Sequence, residues 1–124
     1  MDPTEKATLV LGASTNPDRV SYEAVIALRS RGIAVIALGR REDIIGDVKI
    51  HKGMTLPEMK VHTVALYMGA ANQVEFYDYL LSLRPERIIF NPGTGNPEFA
   101  EMASSRGIEV VEGCLLVMLK TGEF

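Results

Sequence analysis

The 124-residue chain has a single cysteine, Cys114. No intramolecular disulfide can form, and a reducing compartment, by default the cytoplasm, is expected. Histidine is almost as scarce: only His51 and His62 are present. Together with Cys114 they stand at unrelated spacings and make no recognisable metal-ligand set. No apolar run approaches the ~20 residues of a spanning helix. The first six residues are polar and acidic, not basic and then apolar, so no secretory signal is expected. Charge of one sign is also lacking: 13 Lys and Arg against 16 Asp and Glu give a net charge of -3. General affinity for nucleic acid or an anionic membrane is therefore not expected, and any anion site must be local.

What is present is an ordinary globular composition, 47% hydrophobic and 23% charged, at a length suited to one domain over residues 1–124. Apolar runs alternate with amphipathic stretches. ATLVL (7–11), IAVIAL (33–38), VHTVALY (61–67), RIIF (87–90) and IEVV (108–111) read as buried strands, with a short extra strand at 48–50. Residues 19–31, 71–83 and 97–106 read as helices. Val20, Ala24, Ala27 and Leu28 mark the inward face of the first, and Val74, Tyr77, Leu80 and Leu81 that of the second. The tail, 114–119, is apolar and either helical or extended. This alternation predicts an α/β fold: a Rossmann-like, doubly wound, mostly parallel sheet of five or six strands with helices on both faces.

In such a sheet ligands bind beyond the carboxyl ends of the strands. Gly12 closes the first strand there, and Gly12-Ala13-Ser14-Thr15-Asn16-Pro17 leads into a helix. The unpaired N–H groups and positive dipole end of that helix suit a phosphate. Ser14, Thr15 and Ser21 add hydroxyl donors. Asn16 reads as the N-cap, with Pro17 at the first helical position. Arg19 and Tyr22 lie one turn further on. A capped helix with no ligand fits the same residues.

Two nucleotide signatures are missing. G-x-G-x-x-G fails at Ser14 and Pro17, and no Walker lysine follows. A site for NAD also wants a carboxylate after the second strand. Gly39-Arg40-Arg41 stands there instead. Arginine suits an additional phosphate, the 2′-phosphate of NADP or the 3′-phosphate of coenzyme A. A solvated basic loop balanced by Glu42 and Asp43 is the plainer alternative.

Four segments carry a family resemblance: GASTNPDRVSY (12–22), IIGDVKI (44–50), NPGTGNPEFA (91–100) and RGIEVVEGCL (106–115). In this order the chain resembles the small CoA-binding proteins, stand-alone relatives of the CoA-binding domain of the succinyl-CoA synthetase α subunit. The resemblance implies a Rossmann-like domain that binds coenzyme A or an acyl-CoA. It implies that Gly12, Ala13, Ser14, Thr15, Arg19 and Ser21 surround the phosphates, with Gly39 and Arg40 beside the adenosine. Tyr67 and Met68 would close over the ligand, and Asn91, Pro92 and Gly93 would border the thiol arm. Gly39-Arg40-Arg41 departs from the proline, often with a lysine, that the family carries after the second strand. Asn91 stands where the family often has glutamine.

No catalytic set emerges. His62 lies within an apolar strand and reads as structural, and His51 has no evident partner. Cys114 reads as a small buried hydrophobe, or as a thiol able to form a mixed disulfide with CoA. The expectation is a non-catalytic regulatory or carrier protein with a small nucleotide ligand. An NADP-linked or thiol-redox enzyme using Cys114 is one alternative. Another is an interaction module with a vestigial site, its tail forming a homodimer contact.

Overall fold

Short runs of branched and apolar residues form seven strands: β1 (Thr8–Ala13), β2 (Val35–Gly39), β3 (Asp43–Ile45), β4 (Val48–Lys52), β5 (Thr63–Leu66), β6 (Arg87–Phe90) and β7 (Glu109–Glu112). The computed structural model describes residues 2–124. The strands make one sheet in the order β3-β4-β2-β1-β5-β6-β7. Every neighbouring pair is parallel except β3 with β4.

The expected mostly parallel α/β sheet is thus present, with more strands than the five or six expected. The additional one is β3. Gly46, at φ +58°, turns the chain back so that β3 pairs with β4. Only Ile45 of its three residues is buried, so no apolar run announces it.

The helices are α1 (Val20–Ser30), α2 (Ala70–Gln73), α3 (Tyr77–Ser82), α4 (Pro97–Ser104) and α5 (Leu115–Thr121). α1 and α5 cover one face of the sheet over Val10, Ala37, Ala65 and Ile89. α3 and α4 cover the other over Leu9, Leu11, Val64 and Ile88. There Tyr77 stacks on the fully buried Phe99, ring centroids 4.5 Å apart.

Two inward faces differ from expectation. In α1 the buried set is Ser21, Ala24, Val25 and Leu28, while Val20 is 52% exposed. Val20 is the first helical residue, and the 21/24/25/28 spacing is the stripe that meets the sheet. The predicted 71–83 helix is broken by a tighter 3₁₀ turn at Val74–Phe76, which rotates Val74 outward and leaves Gln73 fully buried.

The tail is helical and docks on its own domain. α5 packs on α1, and Phe124 is buried. The Arg87 guanidinium lies 4.3 Å from the Phe124 ring centroid, and Lys6 Nζ donates to the Phe124 carbonyl at 2.5 Å. The segment expected to supply a dimer contact is therefore partly engaged within the chain, through Leu115 and Phe124, and leaves Val117 and residues 120–123 exposed.

Candidate functional site

The strand order reverses direction at β1: β2 lies on one side and β5 on the other. The helices that follow β1 and β5 pack on opposite faces of the sheet, α1 on one and α3 on the other, the arrangement at whose carboxyl edge ligand crevices form in such sheets. The turn over residues 12–17 sits at this point.

Gly12 is not the end of β1 but a bulge within it. The register shifts between Leu11 and Ala13, and Gly12 takes φ +98°. Leu11 packs on the α3/α4 face, whereas Ala13 packs on the α1/α5 face. Strict alternation would put both on one face; the extra residue flips the chain before it enters the turn. A Cβ on Gly12 would stand 2.9 Å from the Tyr67 carbonyl oxygen. One on Gly39 would stand 2.6 Å from the Ala13 carbonyl oxygen and 2.8 Å from Ile50 Cγ2. Both glycines let the tops of neighbouring strands close together.

Beyond Ala13 the turn is held by its own side chains. Ser14 Oγ accepts from Asn16 N at 3.1 Å, and Asn16 Oδ1 accepts from Asp18 N at 3.0 Å. Asn16 therefore shapes the turn and is not the helix N-cap, and Pro17 is not the first helical residue. An asparagine side chain reaches the amide two residues on, and that local bond wins here. Arg19 is the N-cap, with extended backbone and no side-chain cap bond. The first amides of α1, at Val20 and the buried Ser21, are left for another acceptor by helix geometry. Thr15 Oγ1 donates to Asp43 Oδ2 at 3.3 Å, tying the turn to β3.

Arg19, Arg40 and Arg41 are exposed. The two acids beside Arg40 and Arg41 have other partners. Glu42 Oε2 accepts from Lys52 N at 2.9 Å, and Asp43 Oδ1 from Ile44 N at 2.8 Å. Among the described residues the side-chain salt bridge is Arg29–Asp47 at 2.7 Å. The guanidinium groups after β2 are thus not directly paired with the neighbours expected to balance them.

Tyr67 and Met68 follow β5 and diverge. Tyr67 packs against the α1/α5 core and Met68 against the α3/α4 core. The Tyr67 hydroxyl is buried with no hydrogen-bond partner. Burial first, and the neighbouring Cys114 second, push its pKa far up, so the phenol keeps its proton. Cys114 itself is half-buried at the N-cap of α5 and makes no cap bond through its side chain.

Asn91 is 3% exposed, and both ends of its amide are engaged. Nδ2 donates to the Leu66 carbonyl at 3.0 Å, and Oδ1 accepts from Leu115 N at 2.9 Å. It fastens the end of β5 to the start of α5. Pro92 and Gly93 are exposed and border a shallow cavity of about 280 Å³ with Glu112 and Gly113.

Behind these loops lies a buried amide network that the sequence does not announce. Gln73 Nε2 donates to the carbonyls of Met68 (2.9 Å) and Thr94 (2.8 Å), and its Oε1 accepts from Asn96 Nδ2 at 2.9 Å. Asn96 also donates to Tyr77 Oη at 2.7 Å and caps α4 by accepting from Phe99 N. Asn96 before Pro97 carries a readable cap signal; Gln73 carries none. His62 lies at the opposite edge, its Nδ1 2.8 Å from Thr63 Oγ1, away from the crevice.

The parallel sheet, its reversal at β1 and the uncapped helix entered through a glycine bulge define a Rossmann-like α/β domain. The sequence pattern of the CoA binding domain family matches residues 6–120, and the chain belongs to that family. No curated protein matches it significantly. A crystal structure of an uncharacterised protein is similar at 44% identity and TM-score 0.90, covering 96% of this chain and 98% of that one. A hypothetical protein from Pyrococcus horikoshii OT3 shares the fold at 20% identity, TM-score 0.85, covering 94% and 82%. A Thermus thermophilus protein does so at 21% identity, TM-score 0.84, covering 98% and 93%. Among the described residues no helix is long and apolar enough to cross a membrane.

Proposed function

We propose that the crevice beyond β1, β2 and β5 binds coenzyme A or an acyl-CoA, in a regulatory or carrier role without turnover. The observation that carries this reading is the family match over residues 6–120, which includes the turn, the arginine loop and the tail. The residues fit such a ligand. The turn amides and the α1 N-terminus suit the diphosphate, and Arg40 and Arg41 suit the 3′-phosphate. The orphaned Tyr67 hydroxyl is a donor without an acceptor in the chain. Pro92 and Gly93 offer an exposed rim for the thiol arm, whereas Asn91 holds the loop from behind. Calorimetric titration tests the reading. CoA should bind, dephospho-CoA about 10- to 100-fold more weakly through loss of a charge-assisted contact, and NADP more weakly than CoA. Absence of heat with CoA at concentrations that detect micromolar binding rejects it.

One observation favours a second reading. Cys114 is a free, half-buried thiol at the N-cap of α5, just after β7, within the family match, where a thiol could meet the thiol arm of the ligand. In exchange with CoA disulfide the Cys114 thiolate displaces one CoA thiolate and forms a mixed disulfide with the other. A Cys114→Ser variant that releases CoA thiol from the disulfide as fast as the parent protein rejects it.

A further inference from the structure

We propose that the amino-end edge of the sheet, opposite the phosphate turn, carries a second anion site: a basic cleft for the phosphoryl group of a small soluble ligand. The segments entering β5, β6 and β7 each bring one cation to it, namely Lys60, Arg84 and Arg106. The cleft is half open to solvent and has a volume of about 430 Å³, within the range of pockets that hold small ligands. Glu86 is the one carboxylate lining it. None of the three cations is in a salt bridge among the described residues.

Part of this charge is balanced locally. Lys60 Nζ donates to the Arg84 carbonyl, and Arg84 and Arg106 follow the carboxyl ends of α3 and α4. Helix carboxyl ends carry partial negative charge. With Glu86 they offset some of the three positive charges, and a surplus remains in a chain whose net charge is -3. Concentrating like charges in a concave site is unfavourable until an anion enters. Two guanidinium forks and an ammonium suit a phosphoryl dianion better than a single carboxylate.

The backbone adds to the case. Arg84 is the non-glycine residue at positive φ, +49°, among those described. Glycine would take that conformation with less strain. An arginine held there places a guanidinium where relaxation of the backbone would favour another residue.

The site is independent of the crevice, so its test separates from that of CoA binding. The probe is pyrophosphate, followed in ¹⁵N amide spectra of the full chain with ionic strength fixed by KCl. Saturating shifts are expected at Glu86, Arg106, Gly107 and Ile108. Arg106→Glu should weaken the response at least about tenfold. Arg84→Gly should lose affinity to a similar extent while its urea midpoint rises, since the strain is relieved; this variant serves even if Arg106→Glu misfolds. Non-saturating drift, saturation confined to the amides of 14–21, or unchanged affinity in Arg84→Gly would overturn the proposal.

Discussion

The α-carbon of Gly12 in β1 faces the main-chain carbonyl of Tyr67 after β5 so closely that a Cβ built there would stand 2.9 Å from the oxygen. This approach joins the two strand ends that flank the crevice, and Gly12 holds φ +98° to make it. Gly12→Ala adds a left-handed backbone penalty to a clash against backbone that cannot swing away. Urea denaturation should show a loss of about 2–4 kcal/mol. A change below about 0.5 kcal/mol, the ordinary size for a surface substitution, would show that the contact is not constrained.

Asn91 is a second fastening, between the Leu66 carbonyl and the Leu115 amide. Asn91→Leu keeps the size of the side chain and leaves both backbone groups buried without partners. The expected cost is about 2–4 kcal/mol, from two unsatisfied groups. Limited proteolysis should then cut before α5 faster than elsewhere. A variant as stable as the parent would show that Asn91 does not fasten the two elements.

These two residues show what the sequence discloses and what it hides. The strand runs, the helix after Gly12 and the family segments are readable because burial on both faces writes continuous apolar runs. Gly12 is readable as a special position, but the reason for it is not: the Tyr67 carbonyl is more than fifty residues away in the chain. Asn91 reads as a polar loop residue suited to a ligand because its partners come from β5 and α5. Gln73 is invisible for the same cause: nothing in AANQVEF says that the amide, and not the valine, turns inward. β3 is missed because two of its three residues are exposed. Local pattern reports burial; it does not report which distant backbone group a side chain will meet.

His62 gives a prediction about pH. Burial first, then the charges of Arg87 and Lys6, lower its pKa, with Glu86 and Glu109 opposing weakly. The folded protein therefore prefers the neutral ring. The unfolded chain takes up the proton first, near pH 6.5, so this contribution is full above that pH and is lost as pH falls through the lowered folded value. The urea midpoint of the parent should fall between pH 7.5 and 5.5 by more than that of His62→Gln. Equal falls would show that the ring titrates alike in both states.

On the proposed reading the turn from Ala13 to Ser21 holds the phosphates of CoA. Backbone amide spectra recorded during a CoA titration test it most directly. The amides of Ser14, Thr15, Val20 and Ser21 should shift and saturate together, with Arg40 and Arg41 following for CoA but not for dephospho-CoA. Saturable CoA shifts that leave the turn amides in place, or no saturable shift at all, would contradict it.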